Sequence, residues 1–390
     1  MNPSLEAQIS KDQESLVEVL SDFVRNKIRP IVEELDAEER FPAELYEELG
    51  SMGMLGINIA TDDGGAGGSA LDYAIVMEIL ASGYASVADQ VGLVELVGSL
   101  ISKFGTEAQK KKYLPGLFAG TKRCAYGLTE PNAGSDLGGL KTYAERQSNG
   151  TWILNGEKIY IHNAPVADFA MVLAITDKTK GKRGGMSMFL VDVDQPGVTR
   201  AYKEKKMGQK ASPVGGFIFE NVQLAADSIL GEEGNGFGNV LQGLEKGRLG
   251  IAALANGISR AALETATEHA QTREQFGTAI SSFQAIAFTL AEMAVDYSAA
   301  TNLIHAAARK LDSQEDSNAA CSMAKLFASE AAIRNANRAV QVLGGGGYIR
   351  GVEAERLYRD VRITTIYEGT SEVQKLVISR AILDSDPRKR

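Results

Sequence analysis

The sequence has little cysteine and little histidine. Cys124 and Cys321 are the only two cysteines in 390 residues, which is too few for a disulfide framework or a thiolate metal cluster. The three histidines show no HExxH spacing, so we predict no metal site. This cysteine usage is typical of a reducing compartment, and we expect a cytoplasmic protein.

Basic clusters and long apolar runs are also missing. Lys and Arg number 41 against 50 Asp and Glu, and the net charge of -9 argues against a nucleic-acid partner. Residues 1–16 carry acids and no apolar signal core, and uncharged apolar runs elsewhere are shorter than a membrane span. We therefore expect neither export nor membrane insertion.

The composition that is present belongs to a folded chain of several packed units. Apolar residues make up 44% and charged residues 23%, close to the globular average. Helical spacing of apolar residues runs through the first part of the chain, short Val-, Ile- and Phe-rich segments follow, and long Ala-rich helical runs end it. We predict an α+β protein with an N-terminal α-helical domain (1–122), a central antiparallel β-barrel or sandwich domain (123–235) and a C-terminal α-helical bundle (236–390).

One glycine cluster imitates a nucleotide-binding motif. The segment 65–70 reads Gly-Ala-Gly-Gly-Ser-Ala and fits G-x-G-x-x-A, with Asp89 near the distance expected of a ribose-binding acid. The residues after this helix continue as helix, however, so no second strand completes a βαβ unit. We interpret the cluster as a surface turn.

Four other segments are candidates for chemistry. Segment 126–136 is rich in Gly, Thr and Ser and suits either a diphosphate or flavin edge or an ordinary hairpin loop. The Gly run 344–347 indicates a helix end with close backbone approach to a ligand, and 273–277 indicates another helix end. In segment 366–372, Glu368 lies in a short turn, where a lone carboxylate is usually solvated.

Together these segments resemble the acyl-CoA dehydrogenase family in residue types, order and separation over essentially the whole chain, and the C-terminal half looks most like short- and branched-chain members. The resemblance implies a C-terminal four-helix bundle, bound FAD and a homotetramer. It also implies α,β-dehydrogenation of an acyl-CoA thioester to the 2-enoyl-CoA, with electrons passing to an electron-transfer flavoprotein. We expect a short-chain, branched or alicyclic acyl group.

The resemblance carries over to particular residues. Glu368 matches the base that removes the α-proton, and Tyr367 and Gly369 flank it at the substrate. Positions that match FAD contacts are Tyr126, Leu128, Thr129, Gly134, Ser135, Tyr160, His162, Arg273, Phe276, Gln284, Gln341, Gly344, Gly345, Thr370 and Glu372. Of these, Arg273, Phe276 and Gln284 match residues that reach a neighbouring subunit's FAD. Positions that match contacts to CoA are Ser135, Glu245 and Arg248.

The implied mechanism makes physical sense for these residue types. An unactivated α-proton needs a carboxylate whose basicity is raised by desolvation, and the apolar flanks of Glu368 favour this. In the family, the Glu368 backbone N–H and a flavin hydroxyl stabilise the developing enolate, and the β-hydrogen leaves as hydride to flavin N5.

Two positions depart from the family pattern. His162 replaces a threonine near flavin N5 and is either a neutral substitute donor or a proton-handling group. Asp89 is either a helix N-cap or a carboxylate in the acyl slot. In the slot it would act as a second acid on a polar or ring-shaped acyl group, such as a cyclohexene-carboxyl-CoA oxidised to a diene.

Two further alternatives stay open. The same site can run as an enoyl-CoA reductase, and the chain could be a catalytically silent FAD- or CoA-binding homologue. The intact Ile-Tyr-Glu-Gly-Thr turn at 366–370 argues against the silent homologue.

Overall fold

The computed structural model describes residues 9–384, and its N-terminal part is helical. Up to Cys124, where the first strand begins, the helices are α1 (Lys11–Phe23), α2 (Val32–Glu38), α3 (Ala43–Ser51), α4 (Ala70–Gly83), α5 (Ala85–Phe104) and α6 (Glu107–Phe118). The glycine cluster 65–68 folds back on Ile57 and Ile59 through backbone hydrogen bonds. It is a turn ahead of α4, as predicted.

Local caps fix where several of these helices begin. Ser10, Ser69 and Thr106 each accept a hydrogen bond from the backbone N–H three residues later, and the side chain at that position reaches back. Such capping boxes pair two N–H groups that a helix start leaves free.

An N-cap at Asp89 would start the helix at Gln90, but α5 begins earlier. It begins at Ala85, because Tyr84 leaves the helical conformation at φ -157° and forms the boundary. Tyr84 is held there from another part of the chain, since its hydroxyl donates to Asp36. Asp89 therefore lies inside the helix with 8% exposure, and the interpretation of Asp89 as an N-cap is wrong.

The central part of the chain forms one eight-stranded sheet. Its strands are β1 (Cys124–Gly127), β2 (Tyr143–Arg146), β3 (Trp152–His162), β4 (Phe169–Ile175), β5 (Met186–Asp192), β6 (Val198–Lys203), β7 (Val214–Leu224) and β8 (Ile229–Leu230). Their order is β6-β7-β3-β2-β4-β5-β8, with β1 beside β4. Most pairs are antiparallel as predicted, but β1 and β2 pair with β4 in parallel. The sheet is mixed because these pairs are not joined by tight hairpin turns.

One face of this sheet buries its own aromatic cluster. Trp152 and Phe189 pack edge to face with ring centroids 5.4 Å apart, and Phe217 and Phe219 continue the cluster. At the start of β3, buried Trp152 and Leu154 alternate with half-buried Ile153 and Asn155, which follows from the two-residue period of a strand.

Long helices form the C-terminal part. They are α7 (Gly236–Thr272), α8 (Gln284–Asp312), α9 (Asn318–Leu343), α10 (Glu353–Val361) and α11 (Ser371–Asp384), and a small hairpin of β9 (Glu274–Gln275) and β10 (Thr278–Ala279) joins the first two. Small residues let them approach closely. A Cβ at Gly257 of α7 would lie 2.2 Å from the backbone oxygen of Glu78 in α4.

Helix α5 lies at the junction of the sheet and the C-terminal helices. It is long and apolar enough to cross a membrane, but 83% of that stretch is buried inside the protein, which is typical of a core helix. It packs against β1 and α7. This junction brings α5, α7, α9 and the turn before α11 together.

Candidate active site

Glu368 lies in a turn between a short helical segment, Arg362–Thr365, and α11. Its backbone is left-handed with φ +53°, and Gly369 follows with φ +92°. For a glutamate this conformation costs about 1–3 kcal/mol, and it persists only where surrounding contacts impose it. The sequence correctly placed Glu368 in a non-helical turn.

The side chain of Glu368 points into the protein. Its Oε2 atom is buried and has no hydrogen-bond partner among the described residues. Gly247 of α7 leaves room for it, since a Cβ there would lie 2.6 Å from Oε2. Burial raises the pKa of Glu368 to about 7, Asp89 adds to this rise, and the positive charges of Lys325 and Arg248 oppose it.

Three tyrosines lie near this carboxyl group; Tyr73 and Tyr126 are buried, and Tyr367 is partly buried. Burial raises the pKa of Tyr73, Tyr126 and Tyr367 well above 10, and the charge of Glu368 contributes to each rise. All three phenols are therefore neutral across the physiological range. They keep the Glu368 carboxyl group in poorly solvated surroundings.

Asp89 meets His162 through a serine. The Ser212 hydroxyl donates to Asp89 Oδ2 at 2.8 Å and lies 2.6 Å from His162 Nε2, which is itself 3.3 Å from Asp89 Oδ2. Burial lowers the pKa of His162, although Asp89 partly offsets this. The hydroxyl has one proton to donate, so while it donates to Asp89 it can only accept from His162. Ser212 therefore links the protonation states of Asp89 and His162.

Sequence reasoning missed Ser212. It lies in the segment between β6 and β7 and is 1% exposed. No local signal marked it, because its contacts lie 123 residues away at Asp89 and 50 residues away at His162.

The loop after β1 is anchored by a buried ion pair that sequence reasoning also missed. Lys158 Nζ donates to Glu130 Oε1 at 2.8 Å and to the backbone oxygen of Leu128 at 3.1 Å. Glu130 also accepts from the backbone N–H groups of Lys141 and Thr142. Burial lowers the pKa of Lys158 to about 8 against the effect of Glu130.

The predicted loop residues divide by exposure. Tyr126 and Leu128 are buried, Thr129 is partly buried, and Gly134 and Ser135 are exposed. No atom outside its chain neighbours lies within 4 Å of where a Cβ at Gly134 would be. The loop is therefore held in place by the Lys158–Glu130 pair, and its backbone at Gly134 and Ser135 is accessible.

Tyr160 is turned outward by an irregularity in β3. The pairing of β3 with β7 shifts register between Lys158 and Ile161, and Tyr160 adopts φ +55° there. Its side chain is 65% exposed. This bulge sends Tyr160 outward while His162, two residues on, faces Asp89.

Glu245 and Arg248 of α7 face the start of α9. The Ser317 hydroxyl donates to Glu245, and Arg248 Nη1 donates to Asn318 and Ser322. Arg248 is 6% exposed, and its Nε has no partner among the described residues. Burial lowers the pKa of Arg248, which Glu368 partly opposes.

The chain matches three models of one family in chain order. They are the acyl-CoA dehydrogenase N-terminal domain (residues 10–121), middle domain (125–222) and C-terminal domain (234–383). The chain belongs to the acyl-CoA dehydrogenase family. The fold and the enzyme class expected from the sequence, an oxidoreductase of this family, are therefore confirmed.

Particular members of the family are similar over nearly the whole chain. The 3-(aryl)acrylate reductase of Clostridium sporogenes is 42% identical and covers 95% of this chain and 99% of its own. A subunit of the caffeyl-CoA reductase-Etf complex of Acetobacterium woodii is 40% identical and covers 96% and 99%. The structure of butyryl-CoA dehydrogenase from Megasphaera elsdenii superposes with a TM-score of 0.93 at 41% identity and covers 96% and 99%.

Acyl-CoA dehydrogenases are FAD-dependent, and surfaces of this chain fit such a cofactor. Gly344, with φ +59°, and Gly345 are exposed at the end of α9, and a Cβ at either would meet nothing within 4 Å. At Gly344, Gly345 and Gly134 the backbone is therefore unobstructed, and a dinucleotide can approach it closely. Gln341 is exposed on the same helix end.

The remaining predicted FAD contacts lie in two places, around the β9–β10 hairpin and at the start of α11. Arg273, Phe276 and Gln284 are exposed around the β9–β10 hairpin, and Phe276 is 96% exposed with φ +54°. Thr370 accepts from the backbone N–H of Val373, at the start of α11. Hydrogen bonds from the Glu372 backbone N–H and from Thr370 lower the pKa of Glu372.

Within residues 9–384, no group of three or more His, Cys, Asp and Glu residues is arranged to hold a metal ion. Cys124 and Cys321 are both buried and free.

Proposed function

We propose that this protein removes the α-proton of an acyl-CoA with Glu368 and releases the 2-enoyl-CoA. The observation that carries this is the Glu368 carboxyl group, whose Oε2 atom is buried without a hydrogen-bond partner among the described residues and whose pKa is raised by burial to about 7. A base with a pKa near the working pH combines a useful ionised fraction with useful basicity. An ordinary solvated glutamate would be a weaker base.

The other proposed residues act around this step. The Glu368 backbone N–H stabilises the thioester oxygen as negative charge develops there, and Tyr367 and Gly369 line the acyl group. Glu245, Arg248 and Ser135 lie along CoA. The segment 126–135, Tyr160 and His162 would hold FAD, which when bound would supply the acceptor for the β-hydride.

We infer the partners from the relatives and from the exposed surfaces. The similarity to a subunit of a reductase-Etf complex supports an electron-transfer flavoprotein as electron partner. The exposed Phe276 ring and the open backbone at Gly344 support a homotetramer in which Arg273, Phe276 and Gln284 reach a neighbour's FAD. The similarity to butyryl-CoA dehydrogenase supports a short acyl chain.

The raised pKa of Glu368 predicts a pH profile. The base must be ionised, so kcat/KM for butyryl-CoA should rise with pH through about 7 and level off above it. We would measure initial rates with an artificial electron acceptor in buffers of constant ionic strength. A profile that stays flat for two pH units below 7 would contradict an unpaired buried Glu368 as the base.

A second candidate substrate class follows from the cluster of Asp89, Ser212 and His162. Asp89 is 8% exposed and its charge acts on Glu368, which supports a second base at this site. Asp89 would take one proton from a ring carbon remote from the thioester in place of Glu368, and one hydride would leave another ring carbon for the bound flavin. Ser212 and His162 would then carry that proton away. The substrate would be a cyclohexene-carboxyl-CoA and the product a cyclic dienoyl-CoA.

Asp89→Asn separates the two substrate classes. If Asp89 is a second base, the variant should lose about 10²-fold or more turnover of cyclohexene-carboxyl-CoA and keep turnover of butyryl-CoA within a few fold. The acid limb with butyryl-CoA should move to lower pH, because Asp89 raises the pKa of Glu368. If butyryl-CoA is the better substrate and neither its rate nor its pH profile changes, Asp89 has no part in the chemistry.

The reverse direction is supported by two relatives that are named as reductases. It uses the same residues, with Glu368 donating the α-proton. Anaerobic mixing of the dithionite-reduced holoenzyme with crotonyl-CoA tests it, since reoxidation of the flavin absorbance would show net reduction of the enoyl group.

A further inference from the structure

Helix α9 carries a lysine that the proposed chemistry does not use. Lys325 is fully buried, and its Nζ donates to the backbone oxygen of Gly369 at 2.7 Å. Lys158 pairs with Glu130, but none of the ion pairs within 4.0 Å in residues 9–384 includes Lys325. A buried ammonium without a carboxylate in contact is costly, so its presence needs a reason.

The main opposite charge that acts on Lys325 is that of Glu368, and Glu330 and Glu372 have smaller effects. Burial lowers the pKa of Lys325 to about 8, and Glu368 gives the largest effect in the other direction. Lys325 in turn gives the largest effect that lowers the pKa of Glu368. Neither side chain makes an ion pair within 4.0 Å among the described residues, so each charge acts on the other without direct contact.

The same turn is held by other polar contacts. Gln374 Nε2 donates to the backbone oxygens of Gly369 at 2.8 Å and Glu368 at 3.4 Å, and the Ser371 hydroxyl donates to Glu330 at 2.8 Å. The Gly369 carbonyl therefore receives two donors, one from α9 and one from α11. These contacts stabilise the left-handed backbone at Glu368.

We propose that Lys325 is a positioning residue for Glu368, because its buried ammonium fixes the Gly369 carbonyl and favours the ionised carboxylate in an apolar site. This rests on the proposed role of Glu368 as the base. Without the ammonium, the Gly369 carbonyl loses one of its two donors and the Glu368 carboxylate loses the positive charge that acts on it most strongly.

The other charged and titratable groups that act on Glu368 come from several elements. They are Arg248 of α7, Asp89 of α5, Tyr73 of α4, Tyr126 of β1 and the adjacent Tyr367. Arg248 favours the carboxylate as Lys325 does, but its Nη1 is already bonded to Asn318 and Ser322 of α9. Asp89 disfavours the carboxylate, and the tyrosines are neutral.

The test compares Lys325→Met with wild type as FAD-loaded enzyme. An opposite charge near a carboxyl group typically lowers its pKa by about 1–3 units, so removing that charge raises the pKa by a similar amount. The pH at which kcat/KM for butyryl-CoA falls on the acid side should therefore rise by that amount. Below pH 7 we expect kcat/KM of the variant to be at least about tenfold lower than that of wild type, and at alkaline pH we expect the two to be similar. Lys325→Arg keeps the charge and should restore most of the profile.

A second readout does not depend on turnover. The carboxylic-acid C=O band of Glu368, identified by its loss in Glu368→Gln, should titrate in infrared difference spectra with a midpoint near 7 in wild type and higher in Lys325→Met. Arg334→Met on the same helix is the matched control, because Arg334 pairs with Asp296 on α8. It should leave the midpoint unchanged.

The outcomes separate the two proposals. A uniform loss of rate at every pH with an unmoved band would make Lys325 merely structural and overturn this inference. If Lys325→Met does not fold, Lys325→Gln replaces it. An unchanged titration midpoint of the Glu368 C=O band in that variant would also overturn this inference. Wild-type turnover in Glu368→Gln would instead overturn the proposed function itself.

Discussion

Replacing Glu368 with Gln should reduce acyl-CoA dehydrogenation by about 10²–10⁴-fold, the range that a positioned general base contributes. Gln has nearly the same shape but cannot accept a proton. Gly247 leaves space for the side chain in both forms, so we expect the fold, the FAD content and substrate affinity to persist. Anaerobic bleaching of the flavin absorbance by butyryl-CoA measures the step directly.

Glu264→Gln is the matched control for this prediction. It makes the same chemical change on α7, where Glu264 is exposed and pairs with Arg260. Its bleaching rate should equal that of wild type. If Glu368→Gln bleaches as fast as Glu264→Gln, another group is the base.

Replacing Lys158 with Met should lower the free energy of unfolding by about 3–5 kcal/mol, since it leaves the Glu130 carboxylate buried without its partner. Lys158 is 0% and Glu130 5% exposed. The loop 126–135 also loses the ammonium that holds the Leu128 backbone oxygen. We therefore expect FAD content to fall together with stability, measured by urea unfolding and by the ratio of flavin to protein absorbance.

Lys182→Met offers a control for this second variant. Lys182 pairs with Asp136 at 3.7 Å beside the same loop, but both side chains are largely exposed. Exposed pairs of this kind contribute little to stability. A loss in Lys158→Met no larger than in Lys182→Met would show that the buried pair is not the anchor of the loop, whereas loss of stability with unchanged FAD content would separate the anchor from cofactor binding.

Short sequence patterns were enough to predict the helix starts and turns that depend only on neighbouring residues. The capping box at Ser10, the turn at residues 65–68 and the non-helical turn that holds Glu368 before the last helix follow from neighbouring residues. Residue types and spacings over the whole chain also sufficed for the family, and hence for FAD and the enzyme class.

The tertiary structure decided what depends on residues far apart in the chain. Parallel pairing of β1 with β4 made the sheet mixed, and the hydrogen bond between Tyr84 and Asp36 accompanies the early start of α5 that places Asp89 inside the helix. Composition and spacing do not predict such contacts, because strand partners and buried contacts are determined by packing and not by neighbouring residues.

The same reason explains which functional groups sequence reasoning overlooked. Ser212, Lys158 and Lys325 have unremarkable neighbours in the sequence, and each acts through a partner 28 or more residues away. A lysine in an Ala-rich helix is ordinarily a solvated residue. Only packing of α9 against the turn buries Lys325, and of the carboxylates that act on its charge Glu368 has the largest effect. Burial strengthens this interaction because charges are poorly screened in a low-dielectric interior.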